Sequence, residues 1–546
     1  MSFFLLSTIL PWLISFLLLA TCVIIVLMIP KLLKEARKMP DVYKLILFLS
    51  VFIGLLLRLN FAPNFHKIYF DEDRYLSYAV SFAKFNKTVS IDIATPQKIV
   101  MGIPDDAART TVPVINGWVL KTFGYSEQIL FQSAKLFSTL QIFLVFILAY
   151  LLFKNYLAAS FSALAMAFLP TNIYWSSSIS LDAFAVTFAL ISLIGSTWYA
   201  RAPSIRSAFF TAASFFLLLG VRIESFIFLP VIVSAIFYIR KTEKRTLFTK
   251  KELPFIVLFM SLIAFRTLLS ISVIGQTWCC AEALPLEAFA PNYLVRNLLV
   301  NILHFFTRPE FPLGITMLAL IALVGEKGKE KFILGLWIIT YFVVYSTYYA
   351  GNFFSYEFSG SYGRYFLMLI PPTVILASLA LTRIIEKYKQ KKTSLAIILF
   401  FIFLTSVPMW LSYKSLISSS PYFRLVEQGP KILHEFLENG IFKNTPQDSI
   451  IIHTLTGRVL LENRSAVFIG YFFDKDEAIN FVEKSLKENK KVYLFETYQC
   501  EVFPKRCDKI NAKFKFTPLK LKEGQSVGLD LSKVELLSAT ASAGEK

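Results

Sequence analysis

Charged residues are scarce in this chain. They make up 17% of its 546 residues, whereas hydrophobic residues make up 55%, and the mean hydropathy is +0.58. Soluble domains carry roughly 25% charged residues. This shortage excludes an ordinary soluble protein and predicts a polytopic membrane protein, in which long apolar segments cross the bilayer as helices.

Cysteine and histidine are also rare, with five and four residues. No spacing among the cysteines resembles a structural zinc site. Cys500 and Cys507 lie close together in the polar C-terminal part, and we expect them to pair as a disulfide if that part faces an oxidising compartment. His434 and His453 are interpreted as structural or exposed residues rather than ligands.

Positive charge is in excess, with a formal net charge of +19. The basic residues cluster in short connections between apolar segments, and no nucleic-acid recognition motif accompanies them. We therefore expect no nucleic-acid partner. Basic connections instead mark the cytoplasmic side of a membrane protein.

About twelve apolar segments have near-spanning length, and their count is open by one or two. Every second connection is short and basic, which predicts that these connections are cytoplasmic and that the longer segments 63–131, 274–311 and 351–364 face outside with both termini. The first segment is interpreted as a retained span rather than a cleaved signal. The apolar segments are 3–29, 44–62, 132–153, 157–175, 183–200, 207–221, 224–239, 254–273, 312–325, 332–350, 365–382 and 394–412.

Three parts follow from this layout. Residues 1–43 form an extra N-terminal transmembrane helix and a cytoplasmic basic loop, and residues 44–412 form the main membrane region. In residues 413–546 the apolar runs shorten to strand length, as in "SIIIH", "AVFIG" and "KVYLFE", with helical stretches between them. This alternation predicts a C-terminal extracytoplasmic α/β domain.

The acidic stretch "IYFDEDRYLSY" at 68–78 directly follows the second span. Apolar residues recur at helical spacing after it, so one interpretation is an amphipathic helix on the membrane surface with Asp71 as its N-cap. The other interpretation is a functional site. It draws on charged residues that the topology places at outer span ends, where arginines also serve as plain membrane anchors. These residues are Asp182, Arg222, Glu224 and Arg364.

The order of these motifs resembles the GT-C membrane glycosyltransferases that use lipid-phosphate-linked sugars. It is most similar to the protein O-mannosyltransferase and lipid A aminoarabinose transferase relatives. The family's first outer loop begins with D-E-x-x-Y, which Asp71, Glu72 and Tyr75 match. "NIYWSSSISLDAF", "GVRIESFIFLP" and "GRYFLMLIPP" look like its later segments, and the resemblance covers roughly 45–385.

The resemblance implies roles for these residues. Asp71 is the catalytic base, and Glu72 assists it, while Asp73 lies off the pattern and is expected to be solvated. A divalent metal, Mg or Mn, could be held by Asp71, Glu72 and Asp182, although metal use varies across the fold class. Arg58 and His66 are weaker candidates for the phosphate. Substrate or phosphate binding is expected from Tyr75, Arg109, Asp182, Arg222, Arg364 and Tyr365.

The function implied is an inverting hexosyltransferase in the cell membrane. It moves a hexose, mannose-like, from a polyprenyl- or dolichyl-phosphate donor to an outward-facing acceptor, which is a glycan, a lipid or a protein. Three alternatives stay open: a transporter or flippase for lipid-linked sugars, a polymerase or ligase using a diphosphate-linked donor, and a non-catalytic scaffold. No internal repeat is present, and Arg266 is the only notable charge expected deep in a span.

Overall fold

The computed structural model describes residues 5–104, 109–246, 249–274, 290–307, 312–325, 330–348, 361–388, 403, 405–407, 410, 436–496, 504–519 and 530–537. The expected span 394–412 and the outer segments 274–311 and 351–364 lie wholly or partly outside the described residues.

The described part of the chain is a polytopic helical membrane protein, as the composition predicts. It contains six helices long and apolar enough to cross a bilayer. A helix of about 20 residues spans roughly 30 Å. The six are Ser7–Pro30, Asp41–Phe61, Glu127–Phe153, Leu181–Arg201, Glu224–Thr242 and Phe366–Lys387, and the shorter apolar helices are Tyr156–Phe168, Ile205–Leu219, Leu253–Leu268, Leu313–Gly325 and Lys331–Ser346.

The helices up to residue 388 are labelled in chain order. They are α1 (Leu10–Lys38), α2 (Asp41–Phe61), α3 (Tyr69–Phe85), α4 (Thr111–Phe123), α5 (Glu127–Phe153), α6 (Tyr156–Phe168), α7 (Pro170–Trp175), α8 (Leu181–Arg201), α9 (Ile205–Leu219), α10 (Leu229–Thr242), α11 (Leu253–Ile274), α12 (Pro291–Thr307), α13 (Leu313–Gly325), α14 (Glu330–Ser346) and α15 (Ile370–Tyr388). Short 3-10 helices cover Ile223–Phe228, Lys250–Glu252 and Ser361–Leu369.

Helix α1 is longer than the sequence predicts. It continues to Lys38, so the basic residues expected in a loop extend the helix beyond its apolar part. Near its start, α1 packs on α3 and α4 through Trp12, whose ring lies 5.9 Å from Phe82 and 6.0 Å from Trp118. The N-terminal helix therefore supports α3 and α4 from the side.

The expected span 157–175 is broken at Leu169, which is extended and precedes Pro170 at the start of α7. Proline cannot continue a helix because it lacks an N–H group, so the last carbonyls of α6 need other donors. Arg58 supplies them: its guanidinium donates to the carbonyls of Met166 and Ala167 at 3.3 Å. Arg58 thus caps a broken helix, a structural role that explains its full burial.

Helix α3 carries the acidic stretch, and two expectations about it are wrong. The residue before the helix is Ile68, so Asp71 lies in the first turn rather than at the N-cap. The helix is also not a surface helix, because Leu76, Ala79, Val80 and Ala83 are at most 5% exposed. Apolar residues from several neighbouring elements pack against this side of the helix. They are Ile91, Leu120, Leu130, Phe131, Leu460 and Leu461.

The tail residues form a sheet that also includes part of the first outer loop. Its seven strands run in the order β2-β1-β4-β3-β5-β7-β6, with β3 parallel to β4 and β5 and the other pairs antiparallel. Ile93 and Ala94 of the outer loop pair with Val467 and Ala466 of the tail. The strands are β1 (Val89–Thr95), β2 (Lys98–Pro104), β3 (Ile450–His453), β4 (Ser465–Phe468), β5 (Val492–Glu496), β6 (Phe514–Pro518) and β7 (Asp530–Leu536).

Short helices of the tail lie between the strands. They are α16 (Thr456–Leu461), α17 (Ile469–Asp474), α18 (Asp476–Lys487) and α19 (Pro504–Asn511). Cys507 of α19 is disulfide-bonded, and Cys500 lies outside the described residues. Helix α16 packs directly on α3, and Lys84 of α3 donates to the Leu460 carbonyl at 2.9 Å. The tail therefore holds the helix that carries Asp71.

Gly457 allows this contact, because a Cβ atom there would lie 2.6 Å from the Ser77 nitrogen and 2.7 Å from the Ser77 Cα. We expect Gly457→Ala to lower the free energy of unfolding by about 1–3 kcal/mol, since a backbone cannot move aside as a flexible side chain can. Thermal unfolding of the purified protein measures this. Gly325→Ala is the matched control, because nothing lies within 4 Å of a Cβ there, and an equal loss in both variants would contradict the tight contact.

Candidate active site

Four of the charged residues singled out in the sequence meet at one end of the helix bundle. Arg364 Nη2 donates to Asp71 Oδ2 at 2.7 Å, and Arg222 Nη2 donates to Asp182 Oδ1 at 2.5 Å. Arg364 Nε lies 4.0 Å from Asp182 Oδ2, which links the two pairs. Residues almost 300 positions apart in sequence thus form a single constellation of two acids and two arginines.

Each of these side chains lies at or near the N-terminal end of a helix. Asp182 is the second residue of α8, Arg222 precedes the 3-10 helix at Ile223–Phe228, and Arg364 lies in the 3-10 helix before α15. Asp182, Arg222 and Arg364 are at most 8% exposed. Asp71 differs, because 37% of its side chain is exposed. It is therefore the acid of this group that an incoming molecule can reach.

Asp71 is held in its ionised form. Burial alone would raise the pKa of its carboxyl, but the positive charges of Arg364, Arg109 and Arg222 outweigh burial and lower that pKa below the ordinary value. The Arg364 hydrogen bond acts in the same direction. The neighbouring arginines thus keep this carboxylate charged and make it a weaker base than a free carboxylate.

Arg109 and Tyr75 extend the site along α3. Arg109 Nη1 donates to the Tyr75 hydroxyl at 3.3 Å, and Tyr75 is 3% exposed, four residues after Asp71 on the same helix face. Arg74 Nε donates to the Tyr78 hydroxyl at 2.8 Å, one turn further along. Tyr365 lies in the 3-10 helix at Ser361–Leu369, and its side chain is outside the described residues.

Glu72 is fully buried and points away from this constellation toward backbone groups. Its Oε2 accepts from the Lys67 nitrogen at 2.5 Å and from the Ile68 nitrogen at 3.3 Å, and its Oε1 accepts from the Ser178 hydroxyl. The Ser178 oxygen accepts from the Ser180 backbone N–H at 3.2 Å and lies 2.7 Å from the Ser180 hydroxyl oxygen, and the Ser180 hydroxyl donates to Asp182 at 3.1 Å. Glu72 therefore ties α3 to the serine turn that presents Asp182, and this chain of serines was not identified from the sequence.

Asp73 was expected to be solvated, and this expectation is wrong. Its side chain is 3% exposed because the first turn of α3 is covered by α5 and by the tail. Burial raises the pKa of Asp73 to about 8, against the attraction of His66. It shares this environment with Glu127, which pairs with His66 and lies 3.3 Å from Arg458 of the tail.

His66, a weaker candidate for the phosphate, pairs with Glu127 rather than with a residue of the constellation. Burial opposes a charge on His66, but Glu127 outweighs it and raises the pKa of the imidazole. Glu127 and Arg458 were missed in the sequence because each is an ordinary charged residue near an element end. The only sequence signal at Arg458 is the preceding Gly457, whose packing role needs the tertiary contact to be seen.

We expect the Asp73→Asn variant to gain stability relative to the wild type, and this gain should increase as the pH rises from about 4 to 8. The folded carboxyl has a pKa of about 8 against an ordinary 3.8, so in the wild type it costs stability increasingly over that interval, and the amide removes this cost. The difference in melting temperature between variant and wild type, measured at pH 5 and pH 8, checks the sign. Asp448→Asn, at an exposed tail position, is the control; a difference that shrinks with pH would contradict the burial of a neutral Asp73.

Deep charges are more numerous than the sequence suggested. Arg58 and Lys135 are fully buried within candidate spans, in addition to Arg266, which is 1% exposed. Lys135 Nζ donates to the Leu59 carbonyl at 3.3 Å and Arg58 Nε donates to the Ser138 hydroxyl at 3.1 Å. These cations satisfy helix ends and polar groups between α2 and α5.

The carboxylates at the site do not fit a bound divalent metal. Mg²⁺ and Mn²⁺ prefer several oxygen ligands, but Asp71 and Asp182 are each paired with an arginine, and both Glu72 oxygens accept hydrogen bonds from the protein. Within the described residues, no group of three or more His, Cys, Asp or Glu side chains is placed to hold a metal ion.

Comparison with solved structures places this chain in a known fold. It resembles the crystal structure of ArnT from Cupriavidus metallidurans bound to undecaprenyl phosphate, with 11% identity, a TM-score of 0.57, and coverage of 89% of this chain and 97% of that chain. The apo form of the same protein gives 12% identity, a TM-score of 0.56 and the same coverage. The chain therefore shares the fold of ArnT over most of its length.

A third structure, the archaeal oligosaccharyltransferase AglB from Archaeoglobus fulgidus in complex with an inhibitory peptide and a dolichol-phosphate, matches with 13% identity and a TM-score of 0.48, covering 84% of this chain and 70% of that chain. No protein-family model matches the sequence, and no curated protein matches it either.

Proposed function

We propose that this protein is a membrane glycosyltransferase that moves a sugar from a polyprenyl-phosphate donor to an acceptor hydroxyl or similar nucleophile at the outer membrane face. The observation that carries the proposal is the linked Asp71–Arg364–Asp182–Arg222 constellation, in which one reachable carboxylate lies beside buried arginines. The short basic connections at the other ends of the helices support an outward orientation for the site.

The arginines suit the phosphate of the donor. Guanidinium groups bind phosphate oxygens with charge-assisted hydrogen bonds and stabilise the charge that builds on phosphate as a leaving group. Arg364, Arg109 and Arg222 all lie close enough to Asp71 to lower the pKa of its carboxyl. Their guanidinium groups are therefore the candidates to bind the donor phosphate.

Asp71 is suited to be the general base. It must take the proton of the acceptor as the acceptor attacks the anomeric carbon, and its exposed edge gives access to that proton. When the donor phosphate binds Arg364, the guanidinium charge is shared with the phosphate. The pKa of Asp71 then rises from its lowered value, and its basicity increases at the moment when the donor is in place.

A single attack of this kind inverts the anomeric configuration. The bond from the anomeric carbon to the phosphate oxygen breaks, the bond to the acceptor forms, and polyprenyl phosphate leaves with the electron pair. Glu72, with its two oxygens already engaged, acts in this scheme as a positioning residue that fixes α3 against the turn before Asp182.

A donor panel tests the proposal. Purified protein in lipid nanodiscs is incubated with polyprenyl-phosphate mannose, other polyprenyl-phosphate hexoses and pentoses, a polyprenyl-diphosphate sugar and a nucleotide sugar, together with membrane extract as the acceptor source. We expect one polyprenyl-monophosphate sugar to be consumed with release of polyprenyl phosphate. Consumption of the diphosphate donor alone would favour a polymerase or ligase and contradict the proposed monophosphate donor.

A further inference from the structure

A second polar site lies at the opposite membrane face from Asp71. Helix α8 begins beside Asp182 and ends at Arg201, so its two ends are separated by about 30 Å. At the Arg201 end, a cavity of about 300 Å³ opens between the connections of α8 to α9 and of α10 to α11. This volume is at the lower limit of cavities that bind small molecules. Its lining residues are Pro203, Arg240, Arg245, Thr246, Thr249 and Glu252.

The deepest cation of the cavity is already neutralised. Arg240 is 1% exposed and forms a two-pronged ion pair with Glu252, one contact of which measures 3.1 Å. Glu252 also accepts from the Tyr199 hydroxyl at 2.9 Å and from the Thr249 hydroxyl at 3.0 Å. This buried network of hydrogen bonds forms the polar inner wall of the cavity.

Positive charge remains at the rim. Arg245 and Arg201 share a single acid, Glu243, at 3.0 and 2.8 Å. Together with the Arg240–Glu252 pair, these residues comprise three arginines and two carboxylates, so positive charge is in excess at the cavity and its rim. Arg245 carries it in the most accessible position, because 46% of its side chain is exposed.

Backbone dipoles favour an anion at the same place. Pro203 lies two residues before α9, a 15-residue helix, and Glu252 directly precedes α11, a 22-residue helix. The N-termini of both helices therefore border the cavity, and each presents the positive end of its dipole. The Thr246 hydroxyl of the lining adds a hydrogen-bond donor, whereas the Thr249 hydroxyl already donates to Glu252.

We propose that this cavity binds the phosphodiester headgroup of an anionic membrane phospholipid. The candidate spans Leu181–Arg201 and Glu224–Thr242 end at its rim, which places the cavity at the level where lipid headgroups lie. Residues 240–251 carry six Lys or Arg and one Glu, a density of charge that attracts anionic lipids. An anionic headgroup balances part of this positive charge, and the site is independent of the proposed transferase activity.

Native mass spectrometry of the full-length protein with phosphatidylglycerol and with phosphatidylcholine of the same acyl chains tests this proposal. We expect the wild type to retain one phosphatidylglycerol and to gain thermal stability from it. Arg245→Glu should weaken this binding by about tenfold or more, which corresponds to the loss of one charge-assisted hydrogen bond, and Arg245→Gln should weaken it less.

Arg206→Gln is the matched control, because Arg206 is exposed at the same membrane face but does not line the cavity; it should bind phosphatidylglycerol as the wild type does. Equal binding by Arg245→Glu and wild type, or equal retention of the two lipids, would overturn the proposal. Full protection by millimolar inorganic phosphate in place of lipid would also overturn it, by identifying a site for a free anion. The half-exposed position of Arg245 makes both variants compatible with folding, which thermal unfolding checks.

Discussion

Replacing Asp71 with Asn should reduce sugar transfer by about 10²–10⁴-fold, the usual contribution of a general base, while the protein still inserts and folds. The amide nearly preserves the shape of the side chain and its contact with Arg364 but cannot take up the acceptor proton. Asp71 is the most exposed member of the constellation, so its replacement leaves little buried structure unsatisfied. The measurement is the initial rate of transfer from labelled donor in membranes with matched amounts of protein.

Asp448→Asn provides the control for this experiment, because the same substitution is made at an exposed tail position. It should leave the rate unchanged. Transfer by Asp71→Asn at the wild-type rate would remove Asp71 from the role of base. A lowered rate together with a lowered melting temperature would instead make Asp71 a structural partner of Arg364.

Variants of the Arg222–Asp182 pair should separate the effect of the pair on protein stability from its effect on sugar transfer. Arg222→Gln leaves Asp182 buried at 3% exposure with Arg364 as a partner only at 4.0 Å. Breaking a buried ion pair in this way typically costs about 3–5 kcal/mol, so we expect a large fall in melting temperature together with loss of transfer.

The double variant Arg222→Gln/Asp182→Asn removes both charges and should recover most of the stability, because no uncompensated charge remains. It should not recover transfer, since a cation needed to stabilise the leaving phosphate is still missing; loss of one such group commonly costs about 10²–10³-fold. Recovery of transfer in the double variant would mean that the pair serves only to hold the helix ends together.

The membrane region was predictable because its signal is local. The length of the apolar segments and the basic connections between them identify the spans without any tertiary contact. Asp182 near the start of α8 and Arg364 in the 3-10 helix before α15 were recognisable as charged residues beside apolar segments. The pairing of Asp71 with Arg364 was not predictable, since the two are joined by a contact across 293 positions. The shared side of the membrane and the family resemblance suggested a common site, but neither one indicates this direct contact.

Where the structure differs from the sequence prediction, a contact with a residue from a distant segment accounts for the difference. Asp73 reads as a solvated acid until Glu127 and Arg458 are brought against it. The tail reads as a separate unit until Ile93 of the outer loop pairs with Val467. Glu72 matches a family motif, and its hydrogen bonds to Lys67, Ile68 and Ser178 also depend on the tertiary fold. Each depends on strand register or helix packing that a single sequence does not encode locally.

The competing interpretation as a transporter predicts a different fate for the donor, because a transporter moves the intact lipid-linked sugar across the membrane and breaks no bond. Both interpretations predict binding of polyprenyl-phosphate sugar at the arginines, so binding data alone do not separate them. The chemical fate of the anomeric carbon does.

The most direct measurement is a mass balance in proteoliposomes loaded with doubly labelled polyprenyl-phosphate sugar, one label in the sugar and one in the lipid, with acceptor extract outside. We predict that each sugar appearing on an acceptor is matched by one released polyprenyl phosphate, that the new linkage has the opposite anomeric configuration to the donor, and that Asp71→Asn shows neither product. Donor that crosses the bilayer with both labels still joined, equally in wild type and Asp71→Asn, would contradict the account.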